Sequence, residues 1–175
     1  MKNTVISVSA LLALLFSAAG CGRRESLDSI HRELLQKLES DQTVDIAWDA
    51  EQKRFMSLPK AEQATFENSF RGKKVRINLK IKEYKTADMA FFQKAFDRYD
   101  YKTKEQFNFN NLMVVIGNGP TRNGIETSFV VFLPNRYLFD FEKQQTIVVE
   151  GLVDKVSFTF YNCHALIYPA KLVSK

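Results

Sequence analysis

The stretch KVRINLKIK at residues 74–82 decides the fold class of this chain, because polar and apolar residues alternate along it without a break. The apolar positions are Val75, Ile77, Leu79 and Ile81. The alternate positions are Lys74, Arg76, Asn78, Lys80 and Lys82. Successive side chains of a strand point to opposite faces, so this pattern predicts a half-buried strand whose solvated face is cationic.

Four more apolar runs follow this strand. They cover Leu112–Ile116, Ser128–Leu133, Ile147–Val156 and Phe160–Ile167. The turn-rich segment GNGPTRNG at 117–124 separates the first two runs, and a short turn around Ser157 separates the last two. Five strands with a helix-sized break between the third and the fourth predict a mainly β protein built on a small, twisted, partly open barrel at residues 71–175.

Helical patterns precede the barrel and also interrupt it. Between residues 25 and 42 the leucines and Ile30 recur at helical spacing, and Leu58-Pro59 looks like the start of a second helix that ends near Gly72. Trp48, Phe55 and Met56 are expected to anchor this extension to the barrel. A third segment, the insertion at 86–110, has Met and Phe residues near helical spacing and is expected to be a helix over one barrel end.

The five runs together resemble the tRNA-anti-like family of OB-fold domains, which is found in bacterial envelope lipoproteins. The matching segments, in order, are FRGKKVRINLKI at 70–81, NLMVVIGNG at 111–119, ETSFVVFLP at 126–134, QQTIVVEGLVDKV at 144–156 and YNCHALIYPAKL at 161–172. Leu79 stands where the family usually has a glycine in the first strand, whereas Gly151 keeps the glycine of the fourth. The resemblance implies a five-stranded OB-type barrel.

The first 21 residues resemble the export signal and lipobox of bacterial lipoproteins. Lys2 supplies the positive start, Val5 to Ala19 form an apolar run, and small residues lead to Cys21. The resemblance implies that residues 1–20 are removed, that Cys21 carries the lipids, and that residues 21–70 form a lipidated tether and helical extension. Gly22 replaces the usual inner-membrane retention Asp, which favours the outer membrane facing the periplasm. Simple secretion and an uncleaved anchor are the alternatives.

Charge and cysteine content narrow the possible partners. The chain has a net charge of +5, and removal of residues 1–20 lowers it only to +4, without a block of like charges, so nucleic acid is an unlikely partner. Cys21 and Cys163 are the only cysteines, and Cys163 is expected to be a buried, inert thiol. His164 follows it directly and should point to the opposite face of the strand.

These observations favour a lipid-anchored binding module of the cell envelope rather than an enzyme. No P-loop, nucleophile elbow or zinc-type Cys/His cluster is present, and no cofactor is implied. An envelope protein is the expected partner, and the candidate contact residues are Arg76, Lys80, Lys82, Arg122 and Arg136. The alternative is a glycan, a small ligand or an oligonucleotide on the face of the second and third strands. That face would need exposed aromatics, and Phe107, Phe109, Phe129 and Phe132 are expected instead to fill the barrel.

Overall fold

A computed structural model describes residues 27–87, 112–120 and 126–175 of the chain. The helices are α1 (Leu27–Ser40), α2 (Trp48–Ser57), α3 (Lys60–Asn68) and a single 3-10 turn (Asn135–Tyr137). The strands are β1 (Thr43–Val44), β2 (Lys74–Thr86), β3 (Leu112–Asn118), β4 (Glu126–Pro134), β5 (Thr146–Phe158) and β6 (Asn162–Ser174).

Strands β2 to β6 close into a five-stranded mixed barrel. The sheet order is β1-β2-β3-β4-β6-β5, and β2 also pairs with β5 to complete the ring. All neighbouring barrel strands are antiparallel except β4 and β6, which are parallel. The predicted mainly β class and OB-type barrel are therefore confirmed. The sequence pattern suggested a partly open barrel, and the pairing of β2 with both β3 and β5 closes it.

Strand β2 takes part in both halves of the barrel because it is long and bends. Residues 74–80 pair with β5, residues from Lys80 onward pair with β3, and the register shifts between Ile81 and Glu83. Such bulges increase the twist of a strand and turn it from one sheet into the next. The buried Leu79 fits here because Gly117, which pairs with Ile81 on the neighbouring strand, has no side chain: a Cβ on Gly117 would come within 2.9 Å of Leu79 Cδ1.

The barrel interior is filled by the alternate apolar side chains that the sequence indicates. On β2 these are Val75, Ile77, Leu79 and Ile81, all buried. The alternation predicted that Lys74 lies on the solvated face. This prediction is wrong, because Lys74 is only 8% exposed. Its ammonium group donates to the carbonyl oxygen of Asp41 at 3.1 Å and lies 3.9 Å from the Glu150 carboxylate, so the buried charge is compensated.

Helices α2 and α3 pack against one end of the barrel. Helix α3 begins directly after Pro59, as predicted, but the sequence interpretation missed α2, which occupies the residues before it. Phe55 and Phe70 are buried in the barrel core, and Trp48 is half-buried beside them. Met56 was expected to be a third anchor and is instead 43% exposed, because it lies on α2 away from this core. The extension therefore shares its core with the barrel.

The strand ends also differ in places from the sequence interpretation. Strand β5 continues to Phe158, and the turn lies at residues 159–161 rather than around Ser157. Phe160, which was assigned to the last strand, is in that turn. Among the positions of the α1 stripe whose burial is described, Leu38 is buried, Leu34 is half-buried and Leu35 is exposed. The helix predicted for the insertion at 86–110 lies outside the described residues, apart from Thr86, which ends β2, and the buried Ala87 that follows it.

Candidate functional site

The cationic face of β2 is exposed but largely paired within the barrel. The Arg76 guanidinium lies 3.8 Å from the Glu150 carboxylate, and Lys82 Nζ lies 2.9 Å from that of Glu126. Lys80 is exposed between them. Because two of the three cations already have carboxylate partners, a partner protein would have to compete with those ion pairs.

The two other candidate cations do not join this face. Arg136 is exposed in the turn after β4, where its guanidinium stacks over the Tyr137 ring at 4.9 Å and donates to the Tyr137 hydroxyl at 2.9 Å. Arg122 lies outside the described residues. The described candidate cations therefore lie on separate elements.

The face of β3 and β4 does not present aromatic rings to solvent at the phenylalanines that the sequence singles out. Phe129 is buried in the core, and Phe132 is buried on the other face of β4, where its ring meets the Tyr168 ring edge-on at 6.0 Å. The expectation that these two phenylalanines are packing residues is confirmed. Phe107 and Phe109 lie outside the described residues. Base or sugar stacking on Phe129 or Phe132 would require unpacking of the barrel.

Cys163 is a packing residue, as expected. Its side chain is buried in the core, and that burial, together with the negative charge of Glu67, raises the pKa of the thiol to about 12. His164 is exposed on the opposite face of β6. The thiol therefore stays protonated at neutral pH, and the neighbouring imidazole cannot reach it as a base.

Two adjacent exposed aromatic residues lie in the turn between β5 and β6, which we call the aromatic tip (Phe160 and Tyr161). Phe160 is 67% and Tyr161 73% exposed, and their rings meet edge-on with centroids 4.7 Å apart. Large side chains at this level of exposure gain little from folding, because most of their apolar area stays in water. Two such rings side by side are typical of a contact surface.

Helix α2 is hydrogen-bonded to the turn that carries the aromatic tip. Gln52, which is buried, donates a hydrogen bond from its side-chain amide to the carbonyl oxygen of Thr159 at the start of the turn. Met56 is one helical turn further along the same face, and it is partly exposed. Lys53 and Arg54 are exposed on the same helix, where the Arg54 guanidinium lies over the Phe66 ring at 5.3 Å and 3.9 Å from the Glu51 carboxylate. The hydrogen bond from Gln52 thus ties α2 to the turn that carries the aromatic tip.

A pocket of about 140 Å³ lies at the same end of the barrel, between the start of α2 and strands β2 to β4. Asp45 and Asp49 come from the extension, whereas Arg76 and Asn78 come from the outer face of β2. Trp48 also lines the pocket and is half-buried. Sequence reasoning had no means to find this pocket, because it arises only where the extension meets the barrel.

Within the described residues there is no cluster of three or more His, Cys, Asp or Glu side chains that could hold a metal ion. No helix in the same part of the chain is long and apolar enough to cross a membrane. Cys21, the expected lipidation site, precedes the described residues. Comparisons with protein-family models, with curated proteins and with solved structures found no match to this chain.

Proposed function

We propose that this protein is a lipid-anchored binding module of the cell envelope that captures a partner protein with its aromatic tip. Two different observations support the two parts of this proposal. The lipobox-like sequence ending at Cys21 supports the anchor, and the exposed Phe160–Tyr161 pair supports the contact surface. Tyrosine is among the residue types that most often dominate protein–protein affinity.

The exposed pair is the observation that carries the binding role. It lies on a short turn held between two long barrel strands and tied to α2 through Gln52, so little flexibility has to be lost when a partner binds. The cationic face of β2 is the weaker surface, since Arg76 and Lys82 are paired with carboxylates of the barrel.

The contact surface is tested by crosslinking in intact cells with a double variant, Phe160→Ser with Tyr161→Ser. We expect one dominant envelope protein to be crosslinked by the unchanged chain and to be lost with the double variant. The matched control is Phe139→Ser. Phe139 is 94% exposed and lies after the C-terminal end of β4, away from the aromatic tip. Crosslinking that survives the double variant, or that is lost equally with Phe139→Ser, contradicts the assignment of the aromatic tip.

The anchor is tested separately with Cys21→Ser. Lipidation at Cys21 predicts that the unchanged chain fractionates with membranes and incorporates labelled fatty acid, whereas the Cys21→Ser chain does neither. A chain that stays with the membranes and incorporates fatty acid after this substitution would contradict the proposed attachment site. The two experiments are independent, so the anchor and the contact surface can fail separately.

A further inference from the structure

The pocket between the extension and the barrel combines hydrogen-bond acceptors and donors around an aromatic ring. Asp45 and Asp49 bring carboxylate acceptors from one side, and Asn78 brings an amide with both kinds of group from the other. Arg76 shares its guanidinium with Glu150, but five N–H donors leave several for a second partner. Trp48 supplies an apolar surface between them.

The lining has two carboxylates and one guanidinium, which is also paired with Glu150, so its net charge is negative and disfavours an anion. A phosphate or another anion would lie beside the carboxylates of Asp45 and Asp49, and like charges at short range repel each other. A small cation such as an ammonium ion would be attracted by the carboxylates, but it offers no acceptor to the N–H groups of Arg76 and Asn78. A neutral ligand that both donates and accepts hydrogen bonds can pair with the carboxylates and also with these N–H groups, and hydroxyl groups do both.

We propose that this pocket binds one ring of a neutral saccharide. The hydroxyl groups of such a ring would donate to the carboxylates and accept from the guanidinium and amide, while its C–H face lies against Trp48. A volume of about 140 Å³ is similar to that of a cavity that holds a six-membered ring, so a longer glycan would continue outside the pocket. This inference does not depend on the proposed protein contact at the aromatic tip.

A ligand can stack on Trp48 without unpacking of the barrel, whereas stacking on Phe129 or Phe132 would require it. The Trp48 ring tilts against Phe70, with centroids 5.9 Å apart, and meets Phe129 edge-on at 5.7 Å. These contacts hold the indole at the barrel end and leave part of it accessible, since the residue is only half-buried. A ring fixed in this way loses little freedom when a ligand binds.

The chain itself supplies the reporter for a binding test, because Trp48 is its only tryptophan. The whole chain, in a zwitterionic detergent without a sugar headgroup, is titrated with glucose, galactose and N-acetylglucosamine while indole emission is recorded. Butylammonium chloride and sodium phosphate are titrated in parallel. We expect at least one sugar to give a saturable change with a dissociation constant on the order of 1 mM, and the two ions to bind more weakly than that sugar.

Two substitutions then locate the binding. Asn78→Ala and Asp45→Ala each remove side-chain hydrogen-bonding groups from exposed positions, and each should weaken sugar binding about tenfold. The matched controls are Asn68→Ala and Glu62→Ala, on exposed positions of α3 away from the pocket, and they should leave the affinity unchanged. A flat response to all three sugars, tighter binding of either ion, or sugar binding that ignores Asn78→Ala and Asp45→Ala would overturn the proposal.

Discussion

Gln52 and Thr159 are 107 residues apart in the chain and are joined by a hydrogen bond from the Gln52 side-chain amide to the Thr159 carbonyl oxygen. The bond connects the middle of α2 to the turn that carries the aromatic tip. Gln52 is almost fully buried, and its amide oxygen has no hydrogen-bond partner within the described structure. The extension is therefore part of the architecture that positions the turn.

Replacement of Gln52 by alanine should lower the free energy of unfolding by about 1–3 kcal/mol, because it removes a buried hydrogen bond and leaves a small void. Urea unfolding followed by circular dichroism measures the change. Gln63→Ala is the control, since the Gln63 amide makes only a local bond of 3.3 Å to the Leu58 carbonyl and should cost clearly less. Equal losses for the two variants would show that the link to the turn contributes nothing of its own.

Phe158 and Phe160 are two residues apart and should respond oppositely to truncation. Phe158 is 5% exposed and packs against Phe55, with ring centroids 5.3 Å apart, so Phe158→Ala should cost about 3–5 kcal/mol. Phe160→Ala should change the free energy of unfolding by no more than about 0.5 kcal/mol, since the ring is mostly in water. Thermal unfolding of the two variants side by side measures both values. A large loss for Phe160→Ala would show that the aromatic tip has a structural role.

Glu150 should matter more for stability than Glu126, although each forms ion pairs with cations of β2. Glu150 is mostly buried and lies within 4 Å of Lys74, Arg76 and Lys171, so Glu150→Gln leaves the buried Lys74 without its nearest carboxylate. We expect a loss of about 1–3 kcal/mol.

Glu126→Gln removes only the exposed pair with Lys82 and should cost less than about 1 kcal/mol. Chemical denaturation at low and high salt measures both effects. Salt should reduce the Glu126 contribution more than the Glu150 contribution, because exposed charges are screened more strongly. The opposite ranking would contradict the role assigned to Glu150.

The Cys163 thiol should make the protein less stable at alkaline pH. Its pKa is about 12 in the folded chain, against an ordinary value of 9.0, so above pH 9 the unfolded chain loses a proton that the folded chain keeps. Unfolding is therefore favoured by about 1.4 kcal/mol for each pH unit between 9 and 12, and the thiol has no such effect below pH 9.

The measurement compares unfolding of Cys163→Ala with that of the parent chain from pH 7 to pH 11, both carrying Cys21→Ser. The stability advantage of the parent over Cys163→Ala should shrink as the pH rises above 9. Parallel pH profiles would show that the thiol ionises with the same pKa in the folded and unfolded states. A thiol reagent at pH 8 should likewise label the parent only after unfolding.

The barrel could be predicted from the sequence because its signal is local. Alternation at Val75, Ile77, Leu79 and Ile81 gives a strand with one buried face, and five such runs in series leave few ways to bury those faces together. The buried state of Cys163 and the exposed state of His164 follow from the same period of two. Helix α3 was predicted from Pro59, which is suited to the first turn of a helix.

Local patterns could not predict α2 or the burial of Lys74, because both depend on distant partners. Helix α2 lacks a side-chain N-cap, and its buried residues, Gln52 and Phe55, contact the far end of the chain. Lys74 has the same local pattern as the exposed Lys80. It differs because the carbonyl oxygen of Asp41 and the carboxylate of Glu150 lie beside it in the folded chain.

The sequence by itself determined the class of fold, the order of the barrel strands along the chain and the residues that face the core, since each follows from side-chain periodicity. Only the tertiary structure decided which cations are paired, that Phe160 and Tyr161 are exposed together, and that Trp48, Asp45 and Asn78 line one pocket. The physical reason is that pairing, exposure and cavities depend on groups far apart in the chain, whose proximity is set when the barrel closes and the extension packs on its end.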